Sequence, residues 1–314
     1  MTSARVIGQA ATYPAMVLGK DAQPSRKCSA AAALAGALCR AALDDARIPP
    51  RGRDDIGLHL GVCHARTELV ERAIRISDEL GLMDFCDPVA FVNSVASAVT
   101  GHSARAAELG GGSFVVNTGV LSGIDAVGLA SLGVAGSSAG VVLAGGVEST
   151  PGRAAAGNAD WLAERPALGT GGAILALASG SAGRAPAGTR ALAAGNAAVC
   201  VRAYRSGRED AAECLAAALH GARARASDLA CIAGCGSLTR ELLERLGSRA
   251  AWFHTREQLG YLGAAEGAIA CSVAARWLAQ EHGPGRFAAV LGASLSGASS
   301  CIIFGPDPEA APHD

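Results

Sequence analysis

The stretch "FVVNTGVLSGIDAVGLASLG", residues 114–133, reads as a strand, a glycine-framed turn and a helix. Phe114 to Val116 are β-formers, Gly119 and the Ser122-Gly123 pair bracket the turn, and Ile124, Val127 and Leu129 begin an apolar helical run. A turn of this kind aims its central residue at a helix N-terminus, where free N–H groups and the dipole stabilise an anion. That position suits a nucleophile and its oxyanion. The central residue here is Val120, which has no nucleophilic atom. The seat is built and left empty.

Around this elbow the composition is that of a heavily buried protein. The chain has 314 residues, half of them hydrophobic and only 18% charged, which is ample for a large core. Aromatic residues are few (4%) and glycines many (41), as expected of helices packed closely on a sheet. A formal net charge of -1 gives no support for a nucleic-acid or membrane-surface partner. The ten cysteines include no CxxC pair, and Cys231 and Cys235 are the only close two, so buried thiols are expected rather than a metal site. The opening "MTSARVIGQAATYP" lacks the basic and apolar regions of a signal peptide, and no apolar run is long enough to span a bilayer. Free thiols without an export signal point to the cytoplasm.

The two halves of the chain carry the same order of parts. "AAALAGALCRAALDDARIPPRGRDDIGLHLGV", from Ala31, is an Ala-rich helix, a polar turn and an apolar strand, and "AAECLAAALHGARARASDLACIAGC", from Ala211, repeats it. "SGIDAVGLASLGVAG" leads to "AGVVLAGGVES" as "LGAAEGAIACSVAARWLAQ" leads to "FAAVLGASLSG", with Gly145 and Gly292 near the ends of the matching strands. This reads as an ancestral duplication into two pseudo-symmetric α/β halves, residues 1–180 and 181–314. Continuous apolar runs such as "GVVLAGG" and "GGAILALAS" indicate strands buried on both faces. The small, apolar helix over 123–136 suits a layer between two sheets, giving a five-layer αβαβα sandwich. Residues 180–192, rich in Gly, Pro and Arg, are the expected link between the halves.

With these blocks in place, the chain resembles the β-ketoacyl synthases of the thiolase superfamily. "FVVNTGVLSG", "AGVVLAGGVES", "ALGTGGAILALAS", "ASDLACIAGCGSLT", "REQLGYLGAAEGA" and "LGASLSGASSCIIFG" fall in the family's order over nearly the whole length. The resemblance implies condensation of acyl groups held on acyl carrier protein. In it an elbow cysteine carries the chain as a thioester, two histidines assist decarboxylation of a malonyl unit and a lysine supports one of them. This sequence departs at all four places. The elbow cysteine is matched by Val120, the first histidine by Cys235, the second by Tyr261 and the lysine by Arg256, while the glycine-rich loop over the site reads "SLSG" at 294–297. Covalent acylation at the elbow needs a nucleophile that Val lacks, and losing one member of a cooperating catalytic set can cost on the order of 10⁶ in turnover.

Within that family the chain looks like the chain-length factors, inactive paralogues that pair with an active ketosynthase in bacterial type II polyketide systems and line its acyl tunnel. Such factors commonly carry Gln at the elbow, so Val120 departs from them as well. The resemblance implies a heterodimer with an active ketosynthase, acyl carrier protein as a second partner, and no cofactor, metal or nucleic acid. It places the tunnel and dimer interface in "FCDPVAFVNSVASAV", with Pro88, Val89, Phe91 and Val95 as candidates and the strand near Val115 pairing across the two-fold. Arg202, Arg205 and Arg208 form a modest basic patch for an acidic carrier protein.

Two other readings stay open. One is a homodimeric acyltransferase or hydrolase of the same fold using Cys235 or Ser122 as nucleophile, with His254 within reach of Cys235. The other is a homodimeric acyl-binding scaffold. The plainer reading makes Val120 a core valine, Tyr261 a core tyrosine, Arg256 a surface residue and Cys235 an inert buried thiol. His102 reads as a structural, helix-embedded histidine. The "GGG" at 110–112 and "GTGG" at 169–172 lack the context of a dinucleotide site.

Overall fold

Runs of alternating or continuous apolar residues form eleven strands among the described residues of the computed structural model, which are 4–12, 28–49, 53–65, 67–81, 88–136, 140–149, 169–179, 193–194, 197–246, 250–281 and 286–306. They are β1 (Ala4–Thr12), β2 (Gly57–Gly61), β3 (Ser113–Val116), β4 (Val141–Glu148), β5 (Gly171–Ser179), β6 (Ala193–Ala194), β7 (Ala197–Gly207), β8 (Leu229–Gly236), β9 (Ala251–His254), β10 (Phe287–Ala293) and β11 (Ser299–Pro306). The hydrogen-bonded order is β3-β2-β4-β5-β1-β7-β11-β10-β8-β9, with β6 paired to β7 alone. From its free edge inward, the first set runs β3-β2-β4-β5-β1 and the second runs β9-β8-β10-β11-β7, which is the same order. Pairing directions repeat too. β2 is parallel to β3 and β4, as β8 is to β9 and β10, while β5 is antiparallel to β4 and β1, as β11 is to β10 and β7. Among the described residues the two sets are hydrogen-bonded to each other where Ala4 and Arg5 of β1 face Val201 and Cys200 of β7.

The period-2 alternation of each strand sends its side chains into two different cores. In β5, Ile174, Ala176 and Ala178 point to an outer core with α1 (Ala30–Asp45) and α4 (Ala96–Ala106), while Leu175 and Leu177 point to a central core. In β10, Ala288 and Val290 join that central core, while Ala289 and Leu291 join a second outer core under α6 (Ala211–Ala222). The central core is filled by α5 (Ser122–Gly136) and α9 (Ala264–Glu281), which touch strands of both sets. The layers are therefore helix, sheet, helix, sheet, helix, as the sequence predicts. Three further helices, α2 (Thr67–Leu80), α3 (Pro88–Asn93) and α7 (Arg240–Leu246), lie outside this stack, and α8 (Thr255–Leu259) leads into α9.

Local signals set the helix starts. Ser29 accepts the Ala32 N–H at 3.2 Å to open α1, and Asp210 accepts from Ala212 and Glu213 to open α6, each satisfying donors the helix cannot. One expectation needs correcting. The helix over 123–136 is not covered all round, because Leu129 and Leu132 of α5 are 44% and 58% exposed. The link at 180–192 and the tail after Pro306 lie outside the described residues.

Candidate functional site

β3 ends at Val116, and after a short turn at Gly119–Leu121 the chain enters α5. Gly119 sits at φ +70°, a conformation that a side chain strains, which lets the chain turn sharply into the helix. Ser122 locks the turn: its hydroxyl accepts the Thr118 N–H at 2.9 Å and lies within donating reach of the Gly119 and Val62 carbonyls, at 2.6 and 3.2 Å. Thr118 in turn donates to buried Asp125 at 2.6 Å, which also accepts from Ser300 and Tyr204. Close backbone approach completes the seat. A Cβ on Gly123 would run into the Ala264 carbonyl, so α5 and α9 touch there only because glycine is present.

The elbow opens on a cavity of about 400 Å³ lined by Val120, Arg256, Tyr261, Cys63, His64 and the Ser294–Ser296 loop, among others. Four segments distant in sequence thus converge on one site. Tyr261 is 4% exposed, its ring lies 4.9 Å from the Arg256 guanidinium carbon, and its hydroxyl is 3.0 Å from His64 Nε2. Burial, with the neighbouring Cys63, Glu266 and Glu148 adding to it, pushes the Tyr261 phenol up, so it stays protonated and can donate. Burial holds His64 below the ordinary histidine value, so at neutral pH it is an uncharged imidazole.

Two buried glutamates hold the walls. Glu266, on the first turn of α9, accepts Nε and a terminal nitrogen of Arg256 at 3.2 Å each, the Gly236 N–H at 2.9 Å and the Leu262 N–H at 3.2 Å. Burial raises its carboxyl while Arg256 pulls it down. Glu148, at the end of β4, accepts the His64 N–H at 3.0 Å and the Ala264 N–H at 3.3 Å, and takes further backbone bonds from Cys63 and Ser149. Desolvation outweighs these four donors and pushes Glu148 up to about 7. The guanidinium is thus offset by Glu266, and the cavity is close to neutral.

Of the residues singled out from the sequence, Val120, Tyr261 and Arg256 meet at this cavity, and Ser294–Ser296 close over it. Arg256 is no surface residue: its side chain is 21% exposed and ion-paired. Cys235 does not face the cavity. It is fully buried in the central core beside Leu121, Ile124 and Gly292, and burial followed by the Glu266 charge raises its thiol well above the ordinary value. His254 pairs in register with Gly234, one residue away from Cys235 on the pleat, so their side chains leave opposite faces and form no dyad. Its Nδ1 instead accepts the Glu257 N–H at 3.2 Å as the cap of α8. Ser122 is fully buried and committed to the turn, so it offers no free nucleophile either.

The interface candidates lie elsewhere. Phe91 is 62% exposed, Val95 45% and Val89 37%, and the start of α3 at Pro88 is open to solvent, while Phe85 lies outside the described residues. On edge strand β3, Val115 packs against the outer core and its neighbour Phe114 is the outward residue, 58% exposed. Of the basic patch, Arg205 is paired with Glu209 at 2.9 Å and Arg202 donates to the Pro306 carbonyl at 2.7 Å, whereas Arg208 is exposed. His102 bonds Asn93 at 2.6 Å and serves the α3–α4 packing.

Sequence reasoning missed Cys63, His64, Glu148 and Glu266. A signal existed for each. "GVCHAR" puts two reactive side chains at the end of an apolar strand, and each glutamate interrupts a run of small apolar residues, in "AGGVES" and "GAAEGA".

A family model for the β-ketoacyl synthase N-terminal domain matches residues 2–162. No curated protein matches the chain. Among solved structures, the ishigamide ketosynthase/chain length factor is similar at a TM-score of 0.76 and 15% identity, over 96% of this chain and 98% of that one. A β-ketoacyl synthase from Burkholderia phymatum STM815 gives 0.75 and 16%, over 98% and 100%. The AntDE:AntF complex, a type II polyketide synthase acyl-carrier protein with its ketosynthase bound to the hexaketide, gives 0.74 and 15%, over 97% and 99%. At these identities the likeness is one of fold, and it is the thiolase-type ketosynthase fold. With the family model spanning just over half of its residues, the chain belongs to the β-ketoacyl synthase family.

Proposed function

We propose that this chain is a non-condensing, chain-length-factor type subunit that pairs with an active ketosynthase and shapes the tunnel for acyl chains held on acyl carrier protein. The observation that carries this reading is Val120: the elbow geometry is intact and opens on a cavity, yet its central side chain has no atom able to form a thioester. Tyr261 and Arg256, both bonded into the cavity wall, are read from the order of motifs as the counterparts of the family's second histidine and its lysine. Support for pairing comes from the apolar side chains left open on and around the sheet edge. Phe91, Val92, Phe114, Leu129 and Leu132 are each more than two fifths exposed, an unusual load for a lone subunit. Phe91, the bulkiest of the tunnel candidates, is the stop that limits chain length. The two halves, 1–180 and 181–314, are read as duplicated units. The protein is read as cytoplasmic and bacterial, serving polyketide or fatty-acid synthesis; no helix among the described residues is long and apolar enough to cross a membrane.

The burial of Cys235 and Ser122 weakens the reading of a homodimeric acyltransferase or hydrolase built on them. The test is to express a tagged copy in the native host and weigh the purified complex by native mass spectrometry. A stoichiometric heterodimer with a ketosynthase that keeps its cysteine and histidines is the expected result. A homodimer of twice 31.2 kDa with no ketosynthase would replace this reading with the acyl-binding scaffold.

A further inference from the structure

The cavity holds a second set of reactive groups, two of which, Cys63 and His64, lie outside the positions matched to the family's catalytic residues. Cys63 and His64, on the loop after β2, line it together with Val120 and Tyr261. The Tyr261 hydroxyl is 3.0 Å from His64 Nε2, and Cys63 lines the same cavity beside them. A thiol, a hydroxyl and an imidazole therefore face one cavity, groups through which a neutral nucleophile can pass its proton to a base as it attacks. The turn at Gly119 and Val120, with the start of α5 behind it, borders the same space, and a helix N-terminus favours a developing oxyanion.

We propose that Cys63 is an acyl acceptor, its Sγ attacking the carbonyl carbon of an acyl thioester held in the cavity. The thiol proton passes to Tyr261 as the phenol's own proton moves to His64 Nε2. A tetrahedral oxyanion forms and collapses, the C–S bond to the leaving pantetheine-type thiol breaks, and that thiol takes its proton back from the imidazolium. The products are an acyl-Cys63 thioester and a free thiol, with no oxidant or metal required. This goes beyond the non-condensing reading: it gives the cavity a transfer that uses neither an elbow nucleophile nor a malonyl unit, and it needs no partner subunit.

The surroundings make the relay necessary. Burial, then the Glu148 charge, pushes the Cys63 thiol up to about 12, with Tyr261 acting the other way. The resting group is therefore S–H, and it reacts only when its proton is removed during attack. Burial keeps His64 uncharged and able to accept that proton. Among the described residues no other thiol lines the cavity. Cys39, Cys200, Cys214, Cys231, Cys235, Cys271 and Cys301 are buried, and Cys28 is partly open but away from the cavity.

The experiment incubates the purified chain with the hexanoyl thioester of N-acetylcysteamine, a pantetheine mimic, and follows intact mass and peptide mapping over time and pH. One hexanoyl group on Cys63 is expected, arriving at least about tenfold faster than on Cys28, the internal reference for unassisted reaction. Cys63→Ser should leave only the slow background. Tyr261→Phe, which keeps the ring over Arg256, should slow labelling about 100-fold, within the usual contribution of general acid–base catalysis. The wild-type rate should level off above the His64 transition, below pH 6.5. In His64→Gln it should climb about tenfold per pH unit, because only thiolate then reacts. Labelling of Cys63 no faster than Cys28 overturns the proposal, and this comparison within the wild-type protein decides even if a variant fails to fold. Folded Tyr261→Phe and His64→Gln proteins that match wild type in rate and pH profile overturn the relay. Neither result touches the subunit pairing, which the native mass spectrum tests separately.

Discussion

Glu148 should make the fold weaker as pH rises toward neutrality, and Glu148→Gln should remove that trend. The carboxyl is fully buried at the end of β4, and burial pushes it from the ordinary 4.5 up to about 7 despite four backbone donors. In the folded state the proton is held more tightly than in the unfolded chain. Between about 4.5 and 7 the folded protein therefore binds more protons, and stability falls as pH climbs through that window and levels above it. Each pH unit of difference is worth about 1.36 kcal/mol, so the full interval amounts to ~3 kcal/mol. The amide of the Glu148→Gln variant cannot ionise, although its NH₂ group fits poorly against the N–H groups of His64 and Ala264. At pH 5 the variant should be less stable than wild type. By pH 8 the difference between them should have moved in the variant's favour by ~3 kcal/mol. Urea unfolding of both proteins at half-unit steps from pH 5 to 8.5 gives that difference directly, because other titrating groups are common to both. A stability difference that stays flat across the range would show that Glu148 is ionised at its ordinary value, and the desolvation argument would fail.

Three further outcomes are expected. Phe114→Glu on edge strand β3 places a charge on an outward apolar face and should weaken association with any partner subunit by about tenfold or more, measured by analytical ultracentrifugation, with the monomer fold unchanged in circular dichroism. Gly123→Ala should lower stability by about 1–3 kcal/mol in thermal or urea unfolding, since its methyl group would press on the Ala264 carbonyl; an unchanged protein would mean α5 and α9 can part freely. Arg256→Met strips the counter-charge from fully buried Glu266 and should cost about 3 kcal/mol at pH 8, and less at pH 5 where the carboxyl can take up a proton; equal loss at both would count against the ion-pair account.

Much of the architecture was legible because it is local in origin. The elbow at 114–133 announces itself by β-formers, Gly119 and an apolar helical run, and the structure has β3, the turn and α5 there. The five layers follow from strands such as "GGAILALAS", whose apolar residues on both faces require a layer on each side. The candidate site was half visible. Val120, Tyr261 and Arg256 were named from their places in the family's order of motifs and do share a cavity. The direction in which a side chain leaves its strand was not visible. Cys235 and His254 sit on adjacent strands one residue out of register, and the pleat turns them apart; Val115 turns inward where Phe114 turns out.

The sequence by itself determined the element order, the burial of both sheet faces and the absence of a nucleophile at the elbow, because each rests on residue type and short-range spacing. Only the tertiary structure decided that Cys63 and His64 stand beside Tyr261, nearly two hundred residues away, and that Glu148 and Glu266 brace the loops around them. Those contacts arise where strand ends from the two sets of strands and the starts of α5 and α9 converge. Their register is fixed by core packing and by close backbone approaches such as that of Gly123 to Ala264, which no local pattern encodes.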